Sequence, residues 1–180
     1  SNMKIGTHNS ATGEQGRGWL SWLVTPFAKC QSKTIKEQYL AGCRMFDIRV
    51  KWVEGRLHCA HGLWVSEKEA FYILSLLDRL GDCIVILTYE GNPNKEELQD
   101  FEDAVLGMKN RFKHITWREV CIKKGWKCIM FSETKEKNTK DFATKDKNWL
   151  FCLLPIPWLW KKFSKKIEFN DNVYTMVDFL

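Results

Sequence analysis

Three short stretches of the chain carry the residue types that move protons. Lys4-Ile5-Gly6-Thr7-His8-Asn9-Ser10 is an apolar entry ending in an imidazole among small polar residues, with Gly13, Gly16 and Gly18 following. That is the pattern of a strand that stops at a loop. Met45-Phe46-Asp47-Ile48-Arg49-Val50 sets a carboxylate and a guanidinium at i and i+2, on one face of a strand. Leu57-His58-Cys59-Ala60-His61-Gly62 closes a third such segment on another imidazole. Histidine titrates near neutral pH, so it serves as a base or an acid without help from a metal. Each feature also has a plainer reading. A lone histidine is more often a structural hydrogen-bonder, and Asp47 with Arg49 fits a structural ion pair. His58 falls on the face opposite His61 in a regular strand and reads as structural. His114 lies in a basic stretch between helices and reads as exposed.

Strands must hold these groups, and the rest of the chain supplies them. Residues 3–7 read as the first strand, followed by a short apolar turn over 18–24 with two tryptophans that stops near Pro26. Thr34 to Gly42 fits a helix, 45–50 a second strand and 56–61 a third. Ser66-Glu67-Lys68-Glu69 has the form of a capping box opening a helix with the stripe Ala70, Ile73, Leu74, Leu77 and Leu80. Residues 83–90 are a nearly continuous apolar run, the mark of a strand buried on both faces. An amphipathic helix over 94–112 follows, with acids early and bases late. A shorter helix is expected over 116–124, opened by another T-x-x-E pattern. Further strands are expected at 126–131, 149–154 and 173–180, with a solvated loop over 133–148. Strands alternating with helices predict a mainly parallel sheet with helices outside. Charged residues recurring at strand ends favour a compact, incomplete or distorted (β/α) barrel with its site on the C-terminal rim.

Composition narrows the partners only in part. With 180 residues and 44% hydrophobic content, the chain suits one globular domain over 3–180, Ser1-Asn2 reading as an expression remnant ahead of Met3. No basic stretch with an apolar run precedes the first strand, so no secretory signal is visible. Seven cysteines are scattered without metal-type pairing, five of them (Cys43, Cys59, Cys83, Cys128, Cys152) in apolar segments. This favours a reducing compartment, cytoplasmic or peripheral to a membrane, and leaves a secreted form open. A net charge of +6 suits anionic partners without choosing among them.

The motifs together are more specific than any one alone. I-G-T-H-N-S at 5–10, A-G-C-R-M-F-D-I-R at 41–49, and H-G at 61–62 before an aromatic resemble, in order and spacing, the X domain of phosphatidylinositol-specific phospholipase C. The resemblance covers roughly residues 3–90, and beyond them only V-D-F at 177–179 looks similar to the family's closing strand. It implies a distorted TIM barrel and cleavage of a phosphodiester through a cyclic inositol phosphate. It further implies His8 as general base, His61 as general acid and Arg49 as clamp on the phosphate oxygens. Asp178 would orient His8 and Asp47 would hold Arg49, while Asn9, Glu90 and Lys127 would contact the substrate. The chain departs from the metal-independent bacterial members at Asn9, where they carry an aspartate that assists the acid. Asparagine there is a feature of the calcium-dependent branch. The resemblance therefore also offers Asn9, Asp47 and Glu90 as oxygen ligands for Ca²⁺. Against that, Arg49 stands where that branch has a further carboxylate, and the metal-free reading is favoured.

A lipid substrate implies contact with a membrane. Trp19 and Trp22 follow the first histidine, and Trp158 and Trp160 sit beside Lys161, Lys162, Lys165 and Lys166. Tryptophan prefers the headgroup layer and lysine an anionic surface. The run from 149 to 160 holds two prolines and is too short to span a bilayer. The rival function is a catalytically weak headgroup-binding or membrane-docking module, kept open by Asn9. Nucleic-acid binding through 158–166 has only charge and aromatics behind it and is not expected. The sequence does not set the oligomeric state.

Overall fold

The computed structural model describes residues 3–124, 127–133, 139–141, 161–162, 167–169, 171, 173–178 and 180. They form an α/β fold on one mixed, nine-stranded sheet. The strands are β1 (Ile5–Thr7), β2 (Cys43–Val53), β3 (Arg56–His61), β4 (Trp64–Glu69), β5 (Cys83–Glu90), β6 (Ile115–Lys124), β7 (Lys127–Glu133), β8 (Thr139–Asp141) and β9 (Tyr174–Val177). The helices are α1 (Gly18–Ala28), α2 (Ile35–Leu40), α3 (Ala70–Leu80) and α4 (Lys95–Arg111), with a 3₁₀ turn at Ser10–Gly13. The sheet runs β7-β6-β5-β2-β1-β9-β8. Its centre is parallel, and the last described strand lies beside the first. β7 runs antiparallel to β6 at one end of the order. β1 stops level with Phe46 while β2 continues to Val53, and the antiparallel β3–β4 hairpin takes up the vacated side.

The two faces of the sheet are built differently. One packs Phe46, Ile48, Val50, Val85 and Leu87 into the main core, with Ile73, Leu74 and Leu77 of α3 and Phe101, Val105 and Met108 of α4. The other carries a small cluster of Met45, Ile84 and Met176. Pairing sets Met176, Gly6, Met45 and Ile84 on one level across β9, β1, β2 and β5. A Cβ on Gly6 would come within 2.1 Å of the Met176 sulfur, so any other residue there would force that side chain to move. Side chains alternate along a strand, so the next level on this face is Asp178, His8, Asp47 and Ile86. The candidate catalytic groups therefore stand one layer above an apolar floor.

Four local expectations differ from the structure. Residues 18–24 are not a turn but part of α1, which carries Pro26 in its last turn; an apolar run with no polar stripe gave no helical period to read. Ser66-Glu67-Lys68-Glu69 is the end of β4 and caps nothing. The Ser66 hydroxyl instead accepts from the Cys59 N–H across the hairpin at 3.0 Å and donates to the Lys68 carbonyl. Residues 116–124 are not a helix but β6, parallel to β5 over its length. The loop expected over 133–148 contains β8, and the strand expected at 149–154 lies outside the described residues. Other expectations hold: the helices expected over 34–42 and 94–112 are α2 and α4, which the structure opens with capping boxes at Thr34 and Asn94. Among the described residues no helix is long and apolar enough to cross a membrane, and Cys43, Cys59 and Cys83 are free thiols. Burial pushes the Cys43, Cys59 and Cys83 thiols up to about 12, which keeps them protonated and inert.

Candidate active site

His8 follows directly on β1, its backbone N–H donating to Val177 O at 2.9 Å. Its Nδ1 lies 3.4 Å from Asp47 Oδ2. The same carboxylate oxygen accepts from Arg49 Nη2 at 3.4 Å and from the Asn9 backbone N–H at 3.2 Å. Asn9 itself adopts a left-handed conformation, φ 45°, which asparagine tolerates better than most residues. Asp178, one residue past β9, is buried beside this row.

The other end of the site is held just as closely. Arg49 Nη1 lies 3.7 Å from Glu90 Oε1 at the end of β5. Glu90 Oε2 accepts from the Gly62 N–H at 3.2 Å, and Lys51 Nζ donates to Gly62 O at 3.1 Å. Gly62 turns with φ 59°, a geometry suited to glycine, and carries His61 at the end of β3. His61 Nδ1 donates to the Ala28 carbonyl at 2.7 Å. A carbonyl can only accept, so Nδ1 bears the proton and Nε2 is left as the working nitrogen. An unbroken run of contacts thus joins one imidazole to the other through Asp47, Arg49, Glu90 and Gly62.

Electrostatics follow from this packing. Burial alone would raise the pKa of Asp47, but the Arg49 guanidinium, the His8 contact and the Asn9 N–H outweigh it and hold the carboxyl well below the usual range. Burial likewise disfavours the charged form of Arg49, and Asp47 and Glu90 overcome it, raising its pKa. Among the described residues Asn9 Oδ1 and Arg49 Nε are buried without a hydrogen-bond partner. One acceptor and one donor are therefore left at the site, a cost that a polar ligand would remove.

Of the residues singled out in the sequence, His8, Asn9, Asp47, Arg49, His61, Glu90 and Asp178 come together on the C-terminal rim of the parallel strands. Lys127 opens β7 opposite Lys124, at the end of the sheet where β5 ends in Glu90; its side chain is outside those described. For calcium, Asn9, Asp47 and Glu90 are the oxygen donors present, but Arg49 is ion-paired to both carboxylates, which sets a cation where a second one would go. His58 is buried with Nδ1 2.8 Å from Ser66 O. His114 is exposed, with Nδ1 3.5 Å from Asp78. Sequence reasoning missed Ala28, Cys30, Gln31 and Gln38. Cys30 Sγ lies 3.6 Å from Asn9 Nδ2, and Gln38 accepts from the Thr7 hydroxyl at 2.7 Å while donating to Ser10 O. No motif announces them, since their partners lie far off in sequence or on the backbone.

No family model and no curated protein matches the chain. Among solved structures, a phosphatidylinositol-specific phospholipase C from Listeria monocytogenes aligns with it at a TM-score of 0.49 and 17% sequence identity. The alignment covers 77% of this chain and 60% of that one, so the chain spans less than two thirds of that protein's length.

Proposed function

We propose that the protein is a phosphodiesterase of the phosphatidylinositol-specific phospholipase C type, acting by histidine base and acid catalysis without a metal. The observation that carries this reading is the run of contacts from His8 through Asp47, Arg49 and Glu90 to the turn bearing His61. Asp47 accepts from His8 Nδ1 and favours a proton arriving at Nε2. His8 would take that proton from an inositol hydroxyl next to the phosphate. The oxygen attacks phosphorus, and the bond to the leaving alcohol breaks as His61 donates a proton to it. Arg49 offers its fork of donors to the non-bridging oxygens as charge builds on them. The products are a cyclic inositol phosphate and the free alcohol; water in the alcohol's place would open the ring by the same steps reversed. Asn9 Oδ1 and Glu90, with Lys127, would meet the headgroup.

³¹P NMR of the protein with phosphatidylinositol in mixed micelles tests this. A cyclic phosphodiester signal is expected to grow in excess EDTA and to be no faster with added Ca²⁺. A signal only with calcium would move Asn9, Asp47 and Glu90 into a metal site. No signal in either would leave the headgroup-binding module as the better account.

Contact with a lipid surface belongs to the same proposal. Trp19 and Trp22 on α1 are 75% and 76% exposed, with Leu23 and Phe27 beside them on the helix. Leu63, 64% exposed, follows the His61–Gly62 turn. No acid occurs between Glu14 and Glu37, whereas Arg17, Lys29, Lys33 and Lys36 do. An apolar face set in positive charge suits the interface of an anionic bilayer. Trp158 and Trp160 lie outside the described residues. Replacing Trp19 and Trp22 together by alanine should weaken sedimentation with phosphatidylinositol-containing vesicles by about tenfold or more, given the apolar area withdrawn. Undiminished binding would mean that α1 does not dock.

A further inference from the structure

Gln31 is fully buried, at 0% exposure, a position that is costly for a side-chain amide unless its polar atoms are paired. They are, and the partners are telling. Nε2 donates to His8 O at 2.9 Å and to Val177 O at 3.1 Å, and Oε1 accepts from the Leu180 N–H at 3.4 Å. Carbonyls can only accept, so the amide can stand only one way round. Thr7 is level with Val177 in the sheet, which makes His8 and Asp178 neighbours on adjacent strands. The amide therefore grips the carbonyl of His8 itself and the carbonyl immediately before Asp178. Val177 O already accepts from the His8 N–H. The sheet would be complete without the glutamine, whose second bond there adds restraint rather than filling a vacancy.

The clamp is itself anchored. The Gln31 and Cys30 backbone N–H groups both donate to the Thr12 hydroxyl at 3.1 Å, and that hydroxyl donates to Asn9 O at 2.7 Å. Gly13 passes so close that a Cβ there would stand 1.8 Å from Lys33 O. Three residues upstream, the Ala28 carbonyl holds His61 Nδ1. The last residue of α1 and the short connector after it thus touch the backbone of the base, the side chain of Asn9 and the ring of the acid.

We infer that Gln31 is a positioning residue, its amide fixing the two strand ends from which His8 and Asp178 project. The roles of those groups rest on the phosphodiesterase reading; the positioning itself does not. A base held within a near-attack geometry loses rate steeply when its backbone drifts, on the order of 10²-fold for a misplacement of about 1 Å.

The test replaces Gln31 by methionine, of similar length and without donors, and separately Thr12 by valine, which loosens the anchor and leaves the glutamine in place. Both are followed by NMR of ¹⁵N-labelled histidine and by turnover of phosphatidylinositol. In Gln31→Met the His8 imidazole signals should shift and change their titration while those of His58 and His114 stay put. Its kcat should fall about 10- to 100-fold with KM nearly unchanged. Thr12→Val should move the same signals less. A merely structural glutamine would lower the melting temperature and leave the His8 signals of the folded protein as in wild type, and that result overturns the inference. If Gln31→Met does not fold, Thr12→Val decides: unmoved His8 signals overturn the inference equally. A wild-type protein inactive on phosphatidylinositol would sink the phosphodiesterase reading, while the His8 signals would still decide the positioning.

Discussion

Replacing His8 or His61 by alanine is expected to lower turnover of phosphatidylinositol by about 10²–10⁴-fold each, the usual contribution of a positioned acid or base. Both side chains are held by others rather than holding the fold. His8 makes a side-chain contact to Asp47, which keeps Arg49 and the Asn9 N–H as partners in its absence. His61 makes one to the Ala28 carbonyl. Circular dichroism and thermal melting should therefore stay close to wild type. A substrate whose leaving group needs no proton, such as a nitrophenyl ester of inositol phosphate, separates the two roles. His61→Ala should regain most of its rate on that substrate, since the acid's task has gone, and His8→Ala should regain none. Near-normal turnover of either variant on phosphatidylinositol would end the assignment of that residue. Equal rescue of both would reverse or merge the roles.

These residues were legible because each closes a contiguous strand motif, and a parallel sheet turns strand ends into neighbours. Alternation did the rest, placing His8 two residues beyond Gly6 and Asp47 two beyond Met45, on one face. The failures have equally local causes. In β6 the pairing with β5 slips, Val85 facing Trp117 but Ile86 facing Glu119. Arg118 is thus an extra residue in the strand, a bulge that breaks the period of two. What remains of Thr116-Trp117-Arg118-Glu119 then reads as a helix cap. Ser66 followed by Glu69 misleads for a different reason: the serine hydroxyl is spent across the hairpin, which a local pattern does not register. Gln31 was invisible because its partners include Val177, 146 residues away. An isolated glutamine carries no signal until the sheet brings the two ends of the chain together.

Arg49→Leu is expected to abolish turnover and to destabilise the protein at neutral pH by about 3–5 kcal/mol, the usual result of removing one partner from a buried ion pair. Two carboxylates depend on this guanidinium, at 3.4 Å and 3.7 Å. Asp47 is buried, and burial by itself pushes its pKa up; Arg49 is the strongest of the influences that reverse this. In wild type the folded-state pKa lies below the unfolded value of about 3.9, so the carboxylate's contribution is fully present above pH 4 or so and is lost as acid titrates the folded form. Without Arg49 the balance tips toward burial, the folded-state pKa rises, and the folded protein takes up a proton more readily than in wild type. The stability gap between variant and wild type should therefore be widest near pH 7 and should narrow as the pH falls through about 4, where a neutral Asp47 needs no counter-charge. Urea denaturation at both pH values measures this. A gap that stays constant with pH would mean that the loss is one of packing rather than charge. Arg49→Lys separates charge from shape, because a lysine keeps the cation but not the fork. It should recover much of the stability and little of the turnover, since clamping the phosphate oxygens needs paired donors at fixed spacing. Recovery of turnover along with stability would mean that Arg49 serves the site as a bare positive charge.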